Sequence, residues 1–196
     1  MHVPPVGPAV PRRGNALSRA LGRNAMSLTG WKIEGALPDE PKFVIIVAPH
    51  TSNWDFPVGL AALFAIGFRI SFLGKHTIFK WPFGIFMRWL GGIPVERSVS
   101  RDRVAESVAA FNAADKLILV IAPEGTRKLV PRWKTGFYHV AHGAHVPIVP
   151  IAFDFGGKTI AIKRPFRTSG DVEADLPKIK EFFSGAVARH PENYGG

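Results

Sequence analysis

His50 and Asp55 lie five positions apart, directly after the apolar run 43–48. Imidazole has the unperturbed side-chain pKa closest to neutral pH, so His50 could take a proton from a substrate there. A carboxylate bonded to the second ring nitrogen would fix the tautomer of that histidine and stabilise the cation that forms. The pair therefore predicts a general base and its orienting group. By itself the spacing also fits a capped turn with an incidental histidine.

A second polar cluster, Glu124-Gly125-Thr126-Arg127, follows another apolar run, 117–122, and a proline. Both clusters thus come directly after a predicted buried strand. In open α/β sheets, ligands bind beyond the carboxyl ends of the strands. We therefore expect the two clusters to share one crevice.

Taken together, His-x-x-x-x-Asp at 50–55 and Glu-Gly-Thr-Arg at 124–127 resemble the motifs of the glycerolipid acyltransferase family. This family, part of the lysophospholipid acyltransferase superfamily, includes enzymes that acylate 1-acylglycerol-3-phosphate. The glycine-led stretch 91–97 resembles the second family block, and the proline-containing stretch 146–153 resembles the fourth. The resemblance covers about residues 43 to 153.

The resemblance implies an acyltransferase-like fold and an O-acyltransferase reaction. A fatty acyl group would move from acyl-CoA, or from an acyl-carrier protein, to the hydroxyl of a lysophospholipid such as 1-acylglycerol-3-phosphate. His50 would act as the base and Asp55 would hold its tautomer. We expect direct transfer, because the chain has no cysteine and no sign of a serine nucleophile. We expect neither a metal nor an organic cofactor, since a thioester is already activated.

The second cluster would bind the substrate. Arg127 is the expected phosphate ligand, with Thr126 adding a hydroxyl and Gly125 letting the backbone come close. Glu124 would orient Arg127 or contact a glycerol hydroxyl; the alternative is a local ion pair with Arg127. Two further cations that follow predicted strands would add charge for phosphate or CoA: Lys75 and Arg97.

Composition limits the classes of partner. The chain of 196 residues has a formal net charge of +10 and no cysteine, which excludes disulfides and thiolate metal sites. Such a charge favours anionic partners: nucleic acid, an acidic membrane or phosphorylated substrates. The aromatic residues fall in apolar stretches such as 78–86, so we expect an anionic membrane surface and no nucleic acid. His139, His142 and His145 suggest a metal only weakly, because no nearby carboxylate completes a ligand set.

The alternation of predicted strands and helices indicates an α/β fold: a single domain with a largely parallel central sheet flanked by helices. We divide the chain into a flexible, basic, amphipathic segment at 1–30 and an acyltransferase domain at 31–196. Strands are predicted at 31–34, 43–48, 69–73, 93–95, 117–122, 146–153 and 159–163. Helices are predicted at 15–28, 57–66, 100–114, 136–143 and 176–189, the last with Leu176, Ile179, Phe182, Phe183 and Val187 facing inward.

Two segments could contact lipid. The first, at 12–28, combines arginines with Leu17, Leu21 and Leu28 at helical spacing, and the second is the apolar stretch 78–90. Packing onto the domain is the alternative for both. No run reaches the roughly 18 to 20 apolar residues that span a bilayer, and the N-terminus does not resemble a signal peptide. We therefore expect a cytoplasmic protein, peripheral on the inner face of the cell membrane.

Two other functions stay open. The same chemistry could act on another acceptor, such as an aminolipid or a glycolipid, and Asn53 and Trp54 beside the base would be the place to find that difference. A non-enzymatic lipid- or nucleic-acid-binding protein would need the charge and the aromatic residues, but not an intact pair of His50 and Asp55.

Overall fold

The computed structural model describes residues 2–95 and 100–195, without the side chains of residues 73–75, 95 and 100–102. The strands are β1 (Lys32–Glu34), β2 (Lys42–Ala48), β3 (Ser71–Lys75), β4 (Gly92–Val95), β5 (Leu117–Ile121), β6 (Ile148–Asp154) and β7 (Thr159–Ile162). The helices are α1 (Ala16–Thr29), α2 (Asp55–Ile66), α3 (Phe83–Trp89), α4 (Ser100–Ala113), α5 (Gly136–Gly143) and α6 (Val172–Glu181). Two short 3₁₀ helices cover His76–Phe79 and Pro191–Asn193.

The seven strands form one sheet in the order β1-β7-β6-β2-β5-β3-β4. Every neighbouring pair is parallel except β6 and β7, which are antiparallel. The predicted α/β fold with a largely parallel sheet is therefore confirmed. β2 and β5 are parallel neighbours in which Phe43 pairs with Ile118. Their carboxyl ends, which carry the two polar clusters, consequently meet at one edge of the sheet.

Alternate residues of the central strands face two separate apolar layers. Phe43 and Ile45 belong to the layer that also contains buried residues of α1 and α2. Val44 and Ile46 belong to the layer formed with α5 and α6. All four side chains are essentially inaccessible to solvent, as expected for a parallel sheet covered by helices on both faces.

Helix α1 packs against α2 through a face other than its leucines. Gly22 lies so close to α2 that an added Cβ would meet the backbone nitrogen of Ala65 at 2.4 Å. Met26 is also buried, whereas three leucines point to solvent with exposed fractions of 61% or more: Leu17, Leu21 and Leu28. The helix therefore packs on the domain and still presents an apolar outer face.

The N-terminal residues before α1 lie along the domain. The backbone of Arg13 donates to Gly67, and that of Arg69 donates to Pro11. Val10 is fully buried. The division of the chain at residue 30 stays a prediction.

Two predicted helices begin two or more residues earlier in the structure than predicted. α2 begins at Asp55 rather than Pro57, since proline is tolerated anywhere in the first turn, where its missing N–H has no intrahelical acceptor. α6 begins at Val172, because the Asp171 side chain accepts hydrogen bonds from the next backbone N–H groups.

The prediction that this last helix continues to residue 189 was wrong. After Glu181 the chain forms turns, with Gly185 in the left-handed region. Val187, predicted to face inward, is consequently 49% exposed, while Ile179 and Phe183 are buried.

Candidate active site

The loop between β2 and α2 brings His50 and Asp55 into direct contact. β2 ends at Ala48, a cis peptide bond to Pro49 follows, and α2 begins at Asp55. Nδ1 of His50 lies 2.9 Å from Oδ2 of Asp55. The backbone N–H of Ser52 donates to the same carboxylate oxygen at 3.0 Å. Because Nδ1 is used on the carboxylate, Nε2 is the ring nitrogen that remains for a substrate proton.

The burial of Asp55 and its position at the start of α2 both suit it to orienting His50. The Asp55 side chain is 3% exposed and that of His50 is 22% exposed, so only the imidazole can be reached from outside. Asp55 is the first residue of α2, where the positive end of the helix dipole favours a negative charge. The Oδ1 atom of Asp55 has no hydrogen-bond partner among the described residues.

Glu124 connects the second polar cluster to the first. Its carboxylate accepts the backbone N–H of His50, at 2.9 Å for one oxygen and 3.1 Å for the other, across 74 positions of sequence. Glu124 is 3% exposed. Burial raises its pKa to about 7; the hydrogen bond from His50 opposes that shift, and the charge of Asp55 adds to it.

Arg127 makes a second connection between the clusters. Its Nε donates to the carbonyl oxygen of Ser52 at 3.1 Å. Within the described part of the chain, Glu124 and Arg127 thus each bond to the loop that carries His50, and no bond joins them to each other. The expectation that Glu124 orients Arg127 receives no support from this arrangement. Gly125 between them has a φ of 68°, a conformation that glycine adopts at little cost.

The C-terminal residues also contact this region. The backbone N–H of His190 donates to Oγ1 of Thr51 at 3.2 Å. Burial, with the nearby charge of Glu124, raises the pKa of Tyr194 to about 12. The C-terminal segment therefore contacts the loop between β2 and α2 that carries His50. No sequence motif indicated this contact.

A cavity of about 1790 Å³ opens beside His50 and Asp55. Its apolar lining residues include Val47, Leu60, Leu63, Phe72, Met87 and Leu90, which come from β2, β3, α2 and the segment around α3. Its polar lining residues include Thr126 and Arg127, together with Arg103, Lys128, Lys134 and His139. The site therefore combines a base, an apolar chamber and a group of cations.

The structure brings together six of the eight predicted site residues: His50, Asp55, Glu124, Gly125, Thr126 and Arg127. Lys75 is the last residue of β3, but its side chain lies outside the described part of the structure. Arg97 also lies outside the described residues. Lys134, ten residues after Glu124, also lines the cavity, and it was not among the predicted site residues.

Two of the three clustered histidines lie within hydrogen-bond distance of threonine hydroxyls. His142 Nδ1 lies 3.0 Å from Oγ1 of Thr168, and His139 Nε2 lies 3.4 Å from Oγ1 of Thr135. Across residues 2–95 and 100–195, no group of three or more His, Cys, Asp or Glu side chains is arranged to hold a metal ion.

The sequence profile of the acyltransferase family matches residues 33–154, which hold both polar clusters and the strands before them. The chain belongs to the acyltransferase family. It is 28% identical over 151 residues to the 1-acyl-sn-glycerol-3-phosphate acyltransferase of Haemophilus influenzae, covering 72% of this chain and 61% of that protein. It is 31% identical over 144 residues to the human 1-acyl-sn-glycerol-3-phosphate acyltransferase beta, covering 70% of this chain and 50% of that protein.

The fold also resembles a solved member of the family. The crystal structure of the 1-acyl-sn-glycerophosphate acyltransferase PlsC of Thermotoga maritima superposes with a TM-score of 0.62 at 21% identity, covering 85% of this chain and 75% of that one. The chain spans between half and two thirds of the length of the curated relatives that it matches, as the 66% coverage of the Escherichia coli enzyme also illustrates.

Proposed function

We propose that this acyltransferase moves a fatty acyl group from a thioester donor to the hydroxyl of a lysophospholipid such as 1-acylglycerol-3-phosphate. The observation that carries this proposal is the His50–Asp55 pair at 2.9 Å beside a cavity whose lining includes both apolar side chains and the cations Arg127, Lys128 and Lys134. The names of the relatives, all 1-acylglycerol-3-phosphate acyltransferases, support the choice of acceptor.

In the proposed reaction, His50 Nε2 removes the proton from the acceptor hydroxyl as its oxygen attacks the thioester carbonyl. Asp55 stabilises the imidazolium that forms and keeps Nδ1 protonated. The tetrahedral intermediate collapses, the C–S bond breaks, and the thiolate takes the proton back from His50. The products are an ester and a free thiol. Since the thioester is already activated, this reaction calls for no metal or organic cofactor.

The apolar lining residues of the cavity suit the acyl chain of the donor. Val47, Leu60 and Phe72 present hydrocarbon surface to this space. Burying apolar surface contributes about 25 cal/mol per Å², so a long chain would gain several kcal/mol of binding. Acyl-CoA and an acyl-carrier protein both present their acyl group as a thioester, and we propose either as the donor.

Arg127 suits the phosphate of the acceptor. With Nε bonded to Ser52, the guanidinium is held in place and its terminal nitrogens are left for phosphate oxygens. Glu124 acts in this scheme on the protein rather than on the substrate. Its hydrogen bonds to the backbone N–H of His50 keep the loop of the base in position.

We further propose that the enzyme docks on an anionic membrane through the segment 78–89. Exposed apolar residues here include Trp81 at 85%, Phe83 at 71% and Ile85 at 69%. Ile78 is 41% exposed and also lines the cavity beside His50. The segment is therefore continuous with the cavity that we propose for the acyl chain. None of the helices in the described part of the chain has the length and apolar character needed to cross a bilayer.

Vesicle sedimentation tests this docking. The double variant Trp81→Ala/Phe83→Ala should bind vesicles of phosphatidylglycerol and phosphatidylcholine at least tenfold more weakly, because burial of each aromatic side chain is worth about 1.5–3 kcal/mol. Leu129→Ala removes an apolar side chain that is 59% exposed at another position and serves as the control. Equal binding by the double variant and the native protein would contradict docking through this segment.

An acceptor panel tests the reaction itself. The native protein is given labelled acyl-CoA or acyl-carrier protein together with 1-acylglycerol-3-phosphate, a lysophosphodiester, an aminolipid or a glycolipid. Transfer to 1-acylglycerol-3-phosphate is expected. Transfer only to another acceptor would keep the chemistry and correct the substrate. Transfer to none would favour a lipid-binding protein.

A further inference from the structure

We propose that Lys134 is a second phosphate-binding cation, which works with Arg127 on the monoester phosphate of the acceptor proposed above. Lys134 lies ten residues after Glu124 and belongs to neither predicted cluster. Its side chain is exposed and lines the same cavity as His50, Thr126 and Arg127.

The loop after β5 folds back so that Lys134 lies against the second cluster. The backbone N–H of Lys134 donates to the carbonyl oxygen of Pro123 at 2.8 Å, which closes the loop at its base. A Cβ added to Gly125 would lie 3.2 Å from Nζ of Lys134. The ammonium group therefore sits directly beside the backbone of the cluster, two residues from Arg127. The missing side chain at Gly125 leaves room for it.

Charge balance calls for a second cation at this place. A phosphate monoester carries about −1.5 to −2 charges at pH 7. Arg127 supplies one positive charge, and its Nε is already used on Ser52. Asp55 and Glu124 are buried nearby and add negative charge when ionised. Three further cations line the cavity: Arg103, Lys128 and Lys134. Of these, Lys134 is the one whose amine lies against Gly125 of the cluster, and this amine makes no ion pair among the described residues.

Position also favours the acceptor over the donor. In a 1-acylglycerol-3-phosphate molecule the phosphate and the reacting hydroxyl are on adjacent carbons, so the phosphate must lie close to His50. The cluster at 124–127 meets that requirement, because Glu124 and Arg127 both bond to the loop that carries His50. The phosphate of a pantetheine arm is separated from the thioester by two amide units and would lie farther from the base.

Binding without a donor tests this assignment separately from the transfer reaction. The affinity of the native protein for 1-hexanoylglycerol-3-phosphate is measured by calorimetry, next to its affinity for 1-hexanoylglycerol, which lacks the phosphate. Lys134→Met keeps most of the length of the side chain and removes the charge. It should weaken binding of the phosphate ligand about tenfold or more and leave the other ligand unchanged. Lys134→Arg should stay within about threefold of the native affinity.

Arg132→Met is the matched control, since Arg132 is an exposed cation of the same loop that does not line the cavity. Native-like affinity of Lys134→Met for the phosphate ligand would overturn the inference, as would equal weakening for both ligands. A higher KM for the donor with an unchanged acceptor KM would overturn it as well. If the native protein itself does not bind the phosphate ligand, the proposed acceptor is wrong, and this assignment fails with it.

Discussion

Glu124→Gln should stabilise the protein at pH 8 and slow its reaction. In the folded chain the pKa of Glu124 is raised from 4.5 to about 7, mainly by burial. Between these two values the folded state holds the proton more tightly than the unfolded state does. The free energy of unfolding therefore falls as pH rises through this window, and this contribution is lost once the pH passes about 7.

The size of the effect follows from the shift. One pKa unit corresponds to about 1.4 kcal/mol, so the native protein should lose about 3 kcal/mol of unfolding free energy between pH 5 and pH 8 through this group. Glutamine has nearly the same shape and no charge. The unfolding free energy of the variant should therefore not fall in this way between pH 5 and pH 8. It keeps one oxygen that can accept the His50 N–H, but a neutral acceptor is weaker by about 1 kcal/mol, which predicts turnover about fivefold slower.

Urea denaturation of both proteins at pH 5 and pH 8 measures the first effect. The difference in unfolding free energy, variant minus native, should be about 3 kcal/mol larger at pH 8 than at pH 5. A difference that changes by less than about 1 kcal/mol would refute the claim that Glu124 carries a buried charge. Unchanged turnover in Glu124→Gln would refute its role in positioning His50.

Two further substitutions test the loop and the helix contact. Asp55→Asn should lower kcat by about 10²–10⁴-fold with little change in acceptor KM, because the amide no longer stabilises the imidazolium; a loss below about threefold in steady-state assays would argue against the pair. Gly22→Ala should lower the unfolding free energy by about 1–3 kcal/mol, since its methyl group would meet the nitrogen of Ala65 at 2.4 Å. Gly136→Ala, whose methyl group would meet nothing within 4 Å, is its control in urea titrations, and equal stability of the two variants would contradict close packing of α1 on α2.

The elements that carry the site could be predicted from local pattern. A run of apolar residues with a polar cluster behind it marks a buried parallel strand and its carboxyl end, which is why β2 and β5 were found. The helix at 136–143 was predicted with the bounds that the structure has. This segment has a glycine at each end and mostly apolar residues between them. This local pattern was enough to predict the helix, because tertiary contacts did not change its bounds.

Asp55 could be predicted as the partner of His50, because the two residues are five positions apart. The other partners of the site residues could not be predicted, because they depend on contacts between distant parts of the chain. The bond from His50 to Glu124 joins residues 74 positions apart, and that from Arg127 to Ser52 joins residues 75 positions apart. The leucines of α1 show that the packing face of a helix is also hard to predict from sequence. Their spacing indicated an apolar face, but Gly22 allows the closer approach to α2, so the leucines lie outside. A missing side chain at a close contact leaves no hydrophobic signal.

The rate of a single turnover in His50→Ala tests the central claim most directly. Acyl transfer to 1-acylglycerol-3-phosphate is followed with excess enzyme, and circular dichroism and urea titration establish that the variant is folded. General base catalysis by His50 predicts a rate about 10²–10⁴-fold below that of the native protein, with acceptor binding retained. A folded variant that transfers the acyl group within about tenfold of the native rate would contradict the assignment of His50 as the base.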